Sequence, residues 1–116
     1  MMPDSKTEQI RVWLVEDNEV FRRNVQRVIN GLEEIACDGS FDSAEATFDA
    51  LQKEAAPDVI LLDVQLPGVD GISALEKFKE IVPDTRVIIL TVFDDADKIF
   101  RAVCAGASGY VLKASG

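Results

Sequence analysis

Histidine is absent from the 116 residues, and cysteine occurs only twice. Zinc and thiol redox centres draw chiefly on these two residue types, so such chemistry has little to build on here. Cys37 and Cys104 lie in otherwise apolar surroundings and are expected as small core residues, with a regulatory thiol as the second reading. Positive charge is scarce as well: 12 Lys and Arg stand against 21 Asp and Glu, a formal net charge of -9. A surface of that sign repels a phosphate backbone, which argues against direct nucleic-acid contact by this segment. Long apolar runs are missing too. None approaches the roughly 20 residues of a membrane-spanning helix, and the opening MMPDSKTEQ lacks the apolar stretch of a secretion signal. A cytoplasmic location is therefore expected, with no membrane contact. There is no internal repeat and no low-complexity linker, and the length suits one domain with one core. Residues 1–9 are expected as a flexible tail and residues 10–116 as the domain.

Four segments share one shape, an apolar run ending on a polar residue: IRVWLVED, PDVILLD, TRVIILT and GYVLK. Continuous runs rich in Val, Ile and Leu suit parallel strands buried on both faces. A fifth, EEIAC, is weaker. Helical patterns lie between them. Phe21, Val25, Val28, Ile29 and Leu32 fall on one face at helical period and predict a first helix over roughly Asn18 to Asn30. A second opens at DSAE, with Asp42 as cap and Glu45 at the capping-box position, and carries Ala44, Phe48, Leu51 and Ala55 inward before Pro57. The third runs from Ile72 through Leu75 and Phe78 to Val82, between the turn formers LPGVDG and Pro83. The fourth, near Asp95 to Ala105, presents Ile99, Phe100 and Val103 and ends at Gly106. Strict alternation with right-handed crossovers predicts a doubly wound α/β sandwich, a five-stranded parallel sheet with helices on both faces. Only ASG follows GYVLK, so a helix over the last edge is missing from the pattern. A fragment, or a surface covered by a partner, is the expectation.

In open α/β sheets, sites form beyond the carboxyl ends of the strands. Glu16 and Asp17 end the first strand, Asp63 the third, Thr91 the fourth and Lys113 the fifth. Two like charges about 4 Å apart repel by roughly 4 kcal/mol at the effective dielectric near a protein surface. One ammonium is too little for three carboxylates, and without histidine the remedy is a hard divalent cation, with Mg2+ the natural candidate. Mg2+ takes few carboxylates and keeps coordination sites for phosphate oxygens, so a phosphoryl-transfer site is the leading reading. Asp63 is the best-placed nucleophile, Glu16 and Asp17 the metal pair, and Thr91 and Lys113 the partners of phosphoryl oxygens. Singly, each residue has a plain alternative: Asp17 or Asn18 as a helix cap, Thr91 as a strand residue, Lys113 as a solvated charge. The constellation carries the argument.

At this point the sequence resembles a known family, the receiver domain of two-component response regulators. The resemblance rests on VEDN after the first strand, VILLDVQLPGVDG around Asp63, IILT ending at Thr91 and GASGYVLK ending at Lys113, in family order over nearly the whole chain. GASGYVLK and the preceding TVFDDADKIFRAVCAGA are similar to the subfamily usually fused to a LuxR-type helix-turn-helix DNA-binding domain. The resemblance implies the flavodoxin-like strand order 2-1-3-4-5. It also implies that Asp63 accepts a phosphoryl group from a sensor histidine kinase or phosphotransfer protein. Glu16, Asp17, Asp63 and the backbone carbonyl of Gln65 would bind Mg2+. Thr91 would turn toward the phosphoryl group and Tyr110 move inward with it, although on pattern alone Tyr110 is equally a half-buried strand aromatic. The face of the fourth helix, fifth strand and fifth helix would carry output, with Lys98, Arg101 and Tyr110 as reporters and a homodimer as one outcome. The chain departs from the family pattern at Val92, where a very small side chain is usual, at Leu66, where Met is common, and at Ala114, where many members have Pro.

The implied protein is a switch that catalyses only its own phosphorylation and dephosphorylation. Three other readings remain open. A pseudo-receiver would act by partner binding alone. A flavin-binding protein of the same architecture would need hydroxyl and Gly donors where Glu16 and Asp17 stand. A phosphatase with an aspartate nucleophile would want an acid at the position of Gln65, which cannot donate a proton as a general acid.

Overall fold

The structure, a computed structural model, describes residues 9–64, 71–91 and 96–113, and of residues 96–99 the backbone alone. In chain order it runs β1 (Ile10–Val15), α1 (Glu19–Asn30), β2 (Ile35–Phe41), α2 (Ala44–Leu51), β3 (Val59–Asp63), α3 (Gly71–Ile81), β4 (Arg86–Thr91), α4 (Ala96–Cys104) and β5 (Gly109–Leu112). All strand pairs are parallel, in the order β2-β1-β3-β4-β5. The expected doubly wound sheet is therefore observed, and every strand delivers its last residue to the same edge.

Alternation along the strands divides the interior into two layers. One face carries Trp13, Val15, Ile60, Leu62, Val87 and Ile89, packed with Ala44 of α2, Ala74, Leu75 and Phe78 of α3, and Ala102 of α4. The opposite face carries the buried Leu14, Cys37 and Leu90, against which Phe21, Val25 and Ile29 of α1 pack with Leu61. The end of the strands is shaped by close approach as well. A Cβ on Gly71 would overlap the Val64 backbone, so α3 can start where it does only on glycine.

Several local expectations need correction. The second helix is capped by Ser43, whose hydroxyl accepts from the Ala46 amide at 3.1 Å, and not by Asp42. It ends at Leu51, so Ala55 is exposed rather than inward. There the Ala55 and Ala56 carbonyls accept from the Arg11 guanidinium. Val28 and Leu32 are 67% and 47% exposed, because α1 lies over the β2 edge of the sheet and buries only the stripe Phe21, Val25, Ile29. Phe100 and Val103 are 68% and 52% exposed, and among the described side chains of α4 it is the small Ala102 that is buried; the Ile99 side chain lies outside the described residues. Cys37 is buried as expected; Cys104 is exposed.

β2 continues to Phe41, past the expected EEIAC. The register slips between Val12 and Trp13, leaving Asp38 as the extra residue. Its carboxylate accepts from Trp13 Nε1 at 3.0 Å and from Arg11 Nε at 2.8 Å. Gly39 then sits against the Trp13 ring, which a Cβ would approach to 2.5 Å.

Candidate functional site

Glu16 and Asp63 emerge on the α1 side of the sheet, each two residues beyond a member of the inner layer, Leu14 and Leu61. The ladder sets their approach. Val15 pairs with Leu62, so the following residues, Glu16 and Asp63, leave adjacent strands at the same level. Lys113 follows Leu112, which pairs with Thr91, and its amide donates to the Thr91 carbonyl at 2.7 Å. Backbone pairing alone thus brings four strand ends to one place.

Glu16 is fully buried, and Asp63 and Thr91 are nearly so, whereas Asp17 is exposed. Carboxylate oxygens of Glu16, Asp17 and Asp63 all lie within 4.8 Å of one another. The Lys113 ammonium sits between two of them, 2.7 Å from Glu16 Oε1 and 3.2 Å from Asp63 Oδ2. The approach to Glu16 is one of charge without direction: Oε1 is buried and receives no aligned hydrogen bond among the described residues. Burial pushes the Glu16 carboxyl up, and nearby Asp63 adds to this against the opposing pull of Lys113 and the Asn18 amide. Burial also works against the Lys113 charge, but the Glu16 and Asp63 carboxylates outweigh it and raise the ammonium above its usual range. The donors fit a small divalent cation. Three carboxylates converge, one of them with an oxygen unmatched by any aligned donor, and a single ammonium leaves the cluster net negative.

The first turn of α1 completes the surroundings. Asn18 caps the helix through its side chain, which accepts from the Phe21 amide at 3.0 Å, while its own amide donates to Glu16 Oε2 at 3.0 Å. The Phe21 ring lies under the Lys113 ammonium, 4.9 Å from its centroid, a cation–π contact. Arg22 Nη1 donates to the Glu16 carbonyl at 2.7 Å. The sequence reading treated Phe21 as core and Asn18 only as a cap, and gave Arg22 no role. The signal for them was the spacing: once the helix begins after Asn18, residues 18, 21 and 22 share the face turned to the end of β1.

Tyr110 stands on β5 opposite Ile89 and is 48% exposed. Arg101 is exposed on α4. The Lys98 side chain, Gln65, Leu66, Val92 and Ala114 lie outside the described residues, as do residues 1–8 of the expected tail.

A family model for the response regulator receiver domain matches residues 12–116. The chain belongs to that family. Among its relatives, the transcriptional regulatory protein YxjL of Bacillus subtilis is 38% identical over 106 residues, 91% of this chain and 48% of that protein. The response regulator GacA of Pseudomonas aeruginosa is 34% identical over 107 residues, 92% of this chain and 50% of that protein. This receiver thus spans about half the length of the curated relatives it matches. Of solved structures, a LuxR-family two-component response regulator from Aurantimonas sp. SI85-9A1 is similar with a TM-score of 0.83 at 30% identity, covering 91% of this chain and 75% of that one. The signal receiver domain of NarL from Mycobacterium tuberculosis gives a TM-score of 0.84 at 29% identity, over 94% of this chain and 87% of that one. The receiver is a signalling domain of two-component systems, related to transcription regulators, and not an enzyme of the ordinary kind. No helix among its described residues is long and apolar enough to cross a membrane.

Proposed function

We propose that residues 10–116 form a phosphorylation-controlled switch whose acceptor is Asp63, and that residues 1–9 are a lead outside it. The observation that carries this is the Lys113 ammonium set between Glu16 and Asp63 in a cluster of three carboxylates. A buried carboxylate beside an ammonium and a cation site is a nucleophile whose attack on phosphorus has charge compensation already in place. Glu16, Asp17 and Asp63 would hold Mg2+, with the Gln65 carbonyl as a further ligand by family resemblance. The bound ion supplies positive charge to the transferring phosphoryl oxygens.

The donor is the phosphohistidine of a sensor histidine kinase or phosphotransfer protein. An Asp63 oxygen attacks phosphorus, the P–N bond breaks as the P–O bond forms, and the imidazole leaves with the electron pair. Lys113 then neutralises one phosphoryl oxygen. Thr91, buried at the end of β4, supplies a hydroxyl donor to another. The exposed Tyr110 and Arg101 of β5 and α4, with Lys98, form the surface on which the change is read, through partner contact or a phosphorylation-dependent homodimer. In this reading the receiver works in the cytoplasm, catalyses only its own phosphorylation and dephosphorylation, and controls transcription through a DNA-binding domain of the LuxR type.

Incubation with Mg2+ and acetyl phosphate is expected to give a phosphate adduct by mass spectrometry that disappears in Asp63→Asn. Absence of the adduct at saturating donor refutes the acceptor role and leaves a fold that acts by binding alone. Mg2+ affinity measured by titration is expected to fall sharply in Asp17→Asn; an unchanged affinity removes that ligand from the set.

A further inference from the structure

We propose that Arg22 is a positioning residue for the acidic pair, holding the end of β1 so that Glu16 and Asp17 share one small cation with Asp63. The inference rests on the metal reading above and extends it to a residue that touches neither metal nor phosphoryl group. Glu16 is the first residue past the last rung of β1, where the ladder no longer fixes its orientation. Three contacts replace the ladder. Its amide donates to the Phe41 carbonyl at 2.9 Å, its Oε2 accepts from the Asn18 amide at 3.0 Å, and its carbonyl accepts from Arg22 Nη1 at 2.7 Å. The Arg22 backbone is itself fixed, donating to the Asn18 carbonyl at 2.9 Å in the first turn of α1. Arg22 and Asn18 therefore grip Glu16 from the same helical turn, one by the backbone and one by the side chain. Its Oε1 faces the Lys113 ammonium at 2.7 Å, an ion pair without an aligned hydrogen bond. Asp17 is carried by the same peptide whose carbonyl Arg22 holds.

Charge and position predict opposite signs. As a cation near three carboxylates, Arg22 competes with a metal, so its removal would tighten binding if charge were its whole effect. As the holder of the Glu16–Asp17 peptide, its removal loosens the ligand geometry. Mg2+ demands near-ideal octahedral placement, whereas Ca2+ accepts irregular ligand sets. Lost positioning therefore weakens Mg2+ more than Ca2+, a difference that general destabilisation does not produce.

The test is calorimetric titration of the 116-residue chain with MgCl2 and with CaCl2, comparing wild type, Arg22→Met and Arg22→Lys. Arg22→Met is expected to weaken Mg2+ about tenfold, the low end for an outer-shell partner, and to lower the Mg2+/Ca2+ affinity ratio. Arg22→Lys, which keeps a donor, is expected to recover most of the loss. In metal-free protein, amide hydrogen exchange at Asn18 is expected to quicken in Arg22→Met, since its acceptor on Glu16 is no longer held. Unchanged or tighter Mg2+ binding in Arg22→Met overturns the proposal, as does equal weakening for both ions accompanied by a lower melting temperature. No Mg2+ binding in wild type refutes the metal reading itself; Asn18 exchange then decides whether Arg22 holds Glu16, with unchanged exchange counting against it.

Discussion

The two faces of the sheet do different work. On one, Trp13, Ile60, Leu62, Val87 and Ile89 are closed over by α2, α3 and α4, and the contacts are almost wholly apolar. On the other, α1 alone among the described helices covers a thin layer, and its Val28 stays in water. That thinner face carries the carboxylates, the ammonium and the polar grip of Asn18 and Arg22. The difference teaches that rigidity for the site is borrowed through the strands from the opposite face. The helix nearest the chemistry is fastened by its apolar stripe and, at its first turn, by hydrogen bonds to the residue it positions.

The largest effect expected is on the thick face. Phe78→Ala removes a fully buried ring that packs on Phe48 with centroids 4.6 Å apart. It is expected to cost about 3–5 kcal/mol in urea unfolding. A loss below about 1 kcal/mol would mean that this face is not the main store of stability. Next comes the thin face at its polar end. Lys113→Met leaves Glu16 buried beside Asp63 without its ammonium, and a loss of roughly 1–3 kcal/mol at pH 7 is expected. Added Mg2+ should restore much of it, read as a rise in melting temperature greater than in wild type. If Lys113→Met were as stable as wild type without metal, the ammonium would not be the internal counterion.

A subtler test asks whether the thin face opens first. Cys37 lies beneath α1, buried, with its thiol pushed up by that burial, so at pH 8 it carries less thiolate than an exposed cysteine. Cys104 is exposed and should react at once with a thiol reagent. In a Cys104→Ser background, Cys37 is expected to label through local opening of α1, at a free energy below that of global unfolding. Labelling that tracks global unfolding alone would show the two faces opening together.

How much of this was legible in the sequence differs by level. The strands were, because parallel strands buried on both faces leave unbroken apolar runs such as VILLD, and so was the convergence of Glu16, Asp63, Thr91 and Lys113, because strand ends in such a sheet must meet. The far half of β2 was not. Asp-Gly is a pair common in turns, and what keeps Asp38 and Gly39 in the sheet is distant, the Arg11 guanidinium, the Trp13 indole N–H and the Trp13 ring face. Helix faces were legible only in part. Periodicity marks an apolar stripe but not how much of it the neighbours cover, so Phe100, Val103 and Val28 were read inward and stand in water. Arg22 was invisible for another reason: its partner is a backbone carbonyl, which no residue type announces.

The smallest expected effect bears on α1 directly. Val28 and Val25 are both helical valines, so replacing either by Ala brings the same gain in helix propensity, about 0.5 kcal/mol, from relief of the β-branched side chain. They differ in burial. Val25 packs on the layer of Leu14, Cys37 and Leu90, and Val28 is 67% exposed. Subtracting one variant from the other therefore cancels propensity and isolates what α1 gains from its apolar contact with the sheet. Val28→Ala is expected to be neutral or slightly stabilising, within about 0.5 kcal/mol, and Val25→Ala to cost about 1 kcal/mol. Equal effects would mean that α1 gains little from apolar packing at Val25 and is held mainly through Asn18, Phe21 and Arg22, so that loosening the acidic pair would release the helix as well.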